Sequence, residues 1–169
     1  MSTDTLLAIV EPLLTWYRQN ARILPWREEP TPYRVWISEI MLQQTRVEAV
    51  KPYFARFLEA LPTVPALAQA PEQQLMKLWE GLGYYSRARN LQRAARVMVE
   101  QFDGTLPPDY ESLLKLPGIG PYTAGAIASI AYGIPVPAVD GNVLRVVMRL
   151  IAGWDDIADP NVKRDVAQR

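Results

Sequence analysis

Leu116–Ala126 reads LPGIGPYTAGA: two glycines around one apolar residue, then a proline and a run of small side chains. Glycine takes positive φ and lets backbone N–H groups approach another molecule closely. Gly118 and Gly120 therefore predict a tight turn, and the small residues after it predict a helix. A turn of this kind at a helix N-terminus aims several N–H groups one way. It can hold an anion, such as a nucleic-acid phosphate, without lysine or arginine. Ala124, Gly125, Ala126 and Ala128 would let the helix pack closely on a neighbour. The pattern is a helix–hairpin–helix, with Gly118, Ile119, Gly120, Tyr122 and Thr123 as candidate phosphate contacts. A plain packing turn between two helices is the competing reading.

Helical periodicity extends over nearly the whole chain. Leu6, Leu7, Val10, Leu13, Leu14 and Tyr17 form one apolar stripe and predict an amphipathic first helix. Ala21–Pro32 holds Pro25, Pro30 and Pro32 and reads as a loop. Helices are expected from Tyr33 to Gln43 and from Val47 to Leu58, with Pro62 and Pro65 as interruptions. A short helix should follow Pro71 and stop at Gly81 and Gly83. A basic helix should run from Ser86 to Gln101, and a short one should end near Leu116. Further helices are expected over Tyr122–Tyr132, over Asn142–Ile151 and after Pro160. No segment alternates as a strand would. The expected fold class is all-α.

The composition narrows the chemistry. Apolar residues make up 49% of the 169 positions, as in a globular protein with a core. Basic and acidic residues number 18 each, so net charge does not point to a polyanionic partner. Cysteine and histidine are both absent, which removes disulfides, thiol nucleophiles, most zinc or iron sites and the commonest general base. No metal site is expected. No segment approaches the roughly 18 apolar residues of a membrane span. The N-terminus, MSTDTLLAIVEP, lacks the cationic region of a signal peptide, so a cytoplasmic location is expected.

Two carboxylates stand in unusual settings. Glu39 lies in VWISEIMLQQT, where helical spacing puts Val35, Trp36, Leu42 and Gln43 beside it. Apolar walls raise a carboxyl pKa by desolvation, so such a group could donate a proton near neutrality. Asp140, in VPAVDGNVLRV, precedes a helix, and its ordinary role would be an N-cap. A pair of carboxylates can cleave a glycosidic bond: one protonates the leaving group and the other stabilises the cationic sugar. The sequence does not show whether residues this far apart meet.

LPGIGPYTAGA followed by VDGNV resembles the helix–hairpin–helix–Gly/Pro–Asp superfamily of base-excision DNA glycosylases. LPWR at 24–27, WISEIMLQQTRV at 36–47 and GLGYYSRARNL at 81–91 look like the adenine DNA glycosylases of the MutY type. The resemblance runs from about Leu6 onward. It implies removal of adenine mispaired with 8-oxoguanine or guanine from double-stranded DNA, by a monomer. Glu39 then matches the acid that protonates adenine, and Asp140 the carboxylate that stabilises or captures the sugar. Tyr122 matches a position beside that sugar and Asn142 one near the aspartate. Trp26, Arg27, Leu42 and Gln43 match the surroundings of the extruded base, and Gln44 and Tyr84 the side chains that wedge into the duplex. The related endonuclease III type carries a lysine at the Tyr122 position. Its amine forms the Schiff base that leads to strand cleavage, and a phenol cannot. The expected activity is therefore monofunctional.

The resemblance also implies an organisation. Residues 1–28 would belong to a second, cluster-type helical domain. Residues 29–135 would form a six-helix barrel, with the hairpin at about 113–130. Residues 136–169 would begin the rest of the second domain, which full-length members complete. Those members carry a 4Fe-4S cluster; this chain has no cysteine to ligate one. Part of the apolar stripe of the first helix is accordingly expected to be exposed. Arg87, Arg89, Arg93 and Arg96 would form a basic face, either solvated or touching phosphate. A non-catalytic DNA-binding module and a related glycosylase for another base are the alternatives.

Overall fold

The computed structural model describes residues 3–168, with side-chain environments from Leu6. All regular structure among the described residues is helical. The chain divides into two compact units, Leu24–Val136 and the two terminal segments taken together.

The Leu24–Val136 unit holds the larger core. The terminal segments supply α1 (Thr3–Ala8) and α2 (Val10–Asn20), and the central unit begins with α3 (Pro25–Glu28) and α4 (Pro32–Leu42). The stretch expected to be a loop therefore contains a one-turn helix. Pro25 occupies its first position, where the missing N–H costs nothing. Leu24 and Trp26 are buried in the core, and Trp26 meets Phe54 edge-on at 5.3 Å between ring centroids. This unit thus takes in residues that the sequence reading grouped with the first helix.

Then come α5 (Val47–Ala60), α6 (Val64–Gln69), α7 (Glu72–Trp79) and α8 (Ser86–Gln101). Helix α6 corrects the expectation of a mere interruption. Pro65 lies in its first turn, and the Thr63 hydroxyl caps it by accepting the Ala66 N–H at 3.3 Å. Helix α9 (Tyr110–Leu114) and α10 (Pro121–Tyr132) are the two arms of the hairpin. Thr123–Ala128 are all buried, and their small side chains let α10 lie close against α4. Trp36, Ile37 and Met41 of α4 are fully buried, so α4 is the central strut of the core.

In the other unit, α11 (Gly141–Leu150) and α12 (Pro160–Gln168) bury Leu144, Met148 and Val166 against one another. Helix α2 has no buried residue: Leu7 of α1 and Val10, Leu13, Leu14, Trp16 and Tyr17 of α2 are exposed, while Leu6 is half-buried. The expected exposed apolar stripe is present.

Candidate nucleic-acid interface

The hairpin turn is fastened from inside by Leu116 and Ile119, whose side chains are buried. The Ile119 N–H closes the turn on the Leu116 carbonyl at 3.1 Å. Gly118 stands at φ +77°, and a Cβ there would come within 2.7 Å of the Asn90 Cβ. Its lack of a side chain is demanded by the fold itself. Gly120 is different. Its backbone is extended, at φ −94° and ψ 179°, and a Cβ would meet nothing within 4 Å. It is the N-cap of the 12-residue α10, yet has no side chain to cap the first helical N–H groups. Tyr122 follows in the first turn of α10 with an exposed side chain, whereas Thr123 is buried.

Glu39 lies half-buried on α4, and its neighbours Val35–Ser38, Ile40 and Met41 are all buried. Leu42 and Gln43, also half-buried, end that helix, and Gln44 follows, exposed, at φ +55°. Tyr84 is 61% exposed at φ +48°, in the loop between α7 and α8. Only four non-glycine residues take positive φ among the described residues, and two of them are Gln44 and Tyr84. Strain of this sort costs roughly 1–3 kcal/mol and persists only where the surroundings enforce it. Arg27 is exposed on α3, while Trp26 next to it is core. A small cavity of about 40 Å³ is lined by Trp36, Gln43, Arg87, Asn90 and Gly118, among others, so α4, α8 and the hairpin turn converge there.

In the other unit, Asp140 is the N-cap of α11. One carboxylate oxygen accepts the Val143 N–H at 2.8 Å and the other accepts the Asn142 side-chain amide at 3.1 Å. Asn142 in turn accepts from the Arg145 guanidinium at 3.4 Å. Asp140 and Asn142 are thus brought together, as the spacing of DGN suggests, and the carboxylate is oriented from two sides.

Residues 37–169 match the sequence pattern of the HhH-GPD superfamily base excision DNA repair proteins. The chain belongs to that superfamily. Its curated relatives in the HhH-GPD superfamily include an adenine DNA glycosylase of Buchnera aphidicola, 43% identical over 146 residues. That match covers 86% of this chain and 42% of the relative. An adenine DNA glycosylase of Rattus norvegicus is 48% identical over 149 residues, covering 83% of this chain and 29% of the relative. The chain thus spans less than half the length of these relatives. Among solved structures, a thermostable thymine-DNA glycosylase superposes with a TM-score of 0.88 at 27% identity, over 98% of this chain and 78% of that one. A trapped endonuclease III–DNA covalent intermediate superposes with a TM-score of 0.83 at 26% identity, over 99% of this chain and 76% of that one. HhH-GPD relatives of the adenine type imply an iron–sulfur cluster. With no cysteine the chain offers no thiolate to such a cluster, and the described residues hold no group of three or more acidic, histidine or cysteine side chains suited to a metal. No helix among the described residues is long and apolar enough to cross a membrane.

The basic face needs correcting at one residue. Arg89, Arg93 and Arg96 are exposed, and Arg89 pairs with Glu72 at 3.1 Å. Arg87 is only 8% exposed and points inward. The sequence carried a signal for this. Arg87 shares its helical phase with Leu91, Ala94, Ala95 and Met98, the buried side of α8, while the other three arginines repeat on the opposite side.

Proposed function

We propose that this chain carries the catalytic core of a DNA N-glycosylase that removes adenine mispaired with 8-oxoguanine or guanine and leaves the strand uncut. The observation that carries the reading is the similarity to adenine DNA glycosylases across most of the chain, joined to a tyrosine rather than an amine at position 122. In this reading residues 29–135 are the six-helix barrel of the family fold, and the segments on either side belong to its second helical domain. The partner is duplex DNA, bound by a monomer. The chain works in the cytoplasm.

The chemistry follows from the residues. Gly118, Gly120, Tyr122 and Thr123 offer backbone N–H groups to one phosphate beside Ile119, whose own N–H closes the turn, a contact that positions without reading sequence. Gln44 and Tyr84 fill the gap left by the extruded adenine, which Arg27, Trp26, Leu42 and Gln43 surround. Glu39 gives a proton to a ring nitrogen, so adenine leaves as a neutral base when the N-glycosidic bond breaks. The cationic sugar faces the Asp140 carboxylate, whose orientation is fixed by Val143 and Asn142. Water then adds to the anomeric carbon, and its proton restores the acid. The Tyr122 phenol forms no imine with the opened sugar, so no strand cleavage follows.

The test uses this chain and a duplex with a single adenine–8-oxoguanine pair, divided after incubation into untreated and alkali-treated halves. Strand breaks confined to the alkali-treated half are expected. Breaks in the untreated half would contradict the role given to Tyr122. Binding without breaks in either half would leave a DNA-binding module.

A further inference from the structure

Arg87 reaches from α8 into two separate loops. Its Nη1 donates to the carbonyls of Ile40, Met41 and Gln43 at 2.9, 3.1 and 2.6 Å. Its Nη2 donates to the carbonyls of Leu82 and Gly83 at 2.9 and 3.2 Å and lies 3.5 Å from the Thr45 hydroxyl. The first group of acceptors is the C-terminal end of α4 and the turn into Gln44. The second is the turn just before Tyr84. The guanidinium also lies 5.4 Å from the Trp79 ring centroid and 5.5 Å from that of Tyr84. Trp79 adds its indole N–H to the same Gly83 carbonyl at 3.0 Å.

This arrangement is a clasp. No ion pair involves Arg87 among the described residues; its charge is met by carbonyl dipoles. Carbonyls at the end of a helix carry partial negative charge and otherwise lack partners, so a buried cation suits them. A planar fork of donors can serve two loops at once, which a lysine's point charge cannot do at the same distances. The two loops are also the ones whose next residues, Gln44 and Tyr84, stand at positive φ. A strained backbone at two exposed tips needs something to hold it, and Arg87 is bonded to both.

We propose that Arg87 is a positioning residue that locks the Gln44 and Tyr84 loops to each other, so that the two side chains enter the duplex as one rigid wedge. The inference rests on the wedge role assigned to those side chains above. The clasp itself is a property of the free protein and can be measured without DNA.

The test uses the full 169-residue chain, which has no native cysteine to interfere with labelling. Spin labels are placed on the exposed positions 46 and 86 through Arg46→Cys and Ser86→Cys, one beside each loop. Pulsed electron resonance should give a single narrow distance distribution with Arg87 present and a broad one in Arg87→Lys. In unsubstituted protein, hydrogen exchange should show the amides of 43–45 and 83–86 opening together. A distribution that stays narrow in Arg87→Lys, or independent opening of the two loops, would overturn the clasp. The functional arm places 2-aminopurine beside the target adenine, so that its fluorescence follows unstacking. Arg87→Lys should lower the single-turnover excision rate on the order of tenfold to a hundredfold. It should reduce the fluorescence rise and change half-saturation by DNA less than about threefold. Adding Gln44→Ala to Arg87→Lys should cost far less than it does alone, because both act through one wedge. Unchanged fluorescence and rate in Arg87→Lys would overturn the positioning role. Unchanged fluorescence and rate in Gln44→Ala and Tyr84→Ala would instead defeat the wedge assignment, and the distance measurement would still decide the clasp.

Discussion

Asp140 has both carboxylate oxygens engaged, one by the Val143 N–H at 2.8 Å and one by the Asn142 amide at 3.1 Å. The capping role is observed and the chemical role is the one proposed above, and a pair of variants separates them. Asparagine caps about as well as aspartate, so Asp140→Asn should leave thermal stability within about 0.5 kcal/mol, whereas Asp140→Ala should cost about 1 kcal/mol. In the proposed mechanism only the charge meets the cationic sugar, so Asp140→Asn should lose excision by a factor on the order of 10² or more. Thermal melts beside excision rates check both; a fully active Asp140→Asn would confine Asp140 to capping. Tyr33 allows a second prediction at this scale. Its hydroxyl donates to the Leu61 carbonyl at 2.7 Å, and burial pushes its pKa well up. Below about pH 10, the ordinary phenol value, folded and unfolded chains both hold the proton, and Tyr33 gives stability no pH slope. Above about pH 10 the unfolded chain releases it and the folded chain does not, so stability falls as pH rises. Urea midpoints measured from pH 8 to 11.5 should therefore decline more steeply in the wild type than in Tyr33→Phe. Tyr33→Phe should itself cost about 1 kcal/mol at neutral pH through the lost hydrogen bond. Parallel curves would remove the Tyr33 contribution.

The hairpin is the element where structure and proposed binding part most cleanly. Gly118 cannot carry a side chain, because its φ is +77° and Asn90 occupies the space. Gly118→Ala should destabilise the chain by about 1–3 kcal/mol. Gly120 can carry one as far as the fold is concerned, since its backbone is extended and the surrounding space is open. Gly120→Ala should leave the melting temperature unchanged or slightly raised. It should nevertheless weaken DNA binding about tenfold, roughly 1.4 kcal/mol, by standing between backbone and phosphate. Undiminished affinity in Gly120→Ala would take this turn out of the interface. The hairpin was legible because its signal is local: PGIGP leaves the backbone few options, and the small residues after it identify a buried helix face. Helices α3 and α6 were not legible, because Pro25 and Pro65 read as breaks although proline also suits a first helical turn. Arg87 was misplaced for a different reason. Its charge suggests an exposed face, but what draws an arginine inward here is a set of carbonyls gathered from loops some forty residues apart. No local window holds that information.

At the scale of the whole molecule, a net charge of zero argues against a grip on DNA by bulk attraction. The interface proposed above rests instead on placed groups: a hairpin backbone, exposed arginines on one side of α8, and two strained tips bonded to a buried one. The same scale carries a liability. The apolar side chains of α1 and α2 stand exposed, a patch that favours association. In the function proposed above these parts serve removal of a base, with Glu39 as its acid. The most direct measurement is single-turnover excision on the adenine–8-oxoguanine duplex by wild type and Glu39→Gln side by side, with binding to the same duplex measured in parallel. An amide keeps the shape of the carboxyl group but cannot supply the proton. The role of Glu39 as the acid requires excision reduced on the order of 10²–10⁴-fold, with affinity changed less than about threefold. Excision by Glu39→Gln at close to the wild-type rate would contradict it.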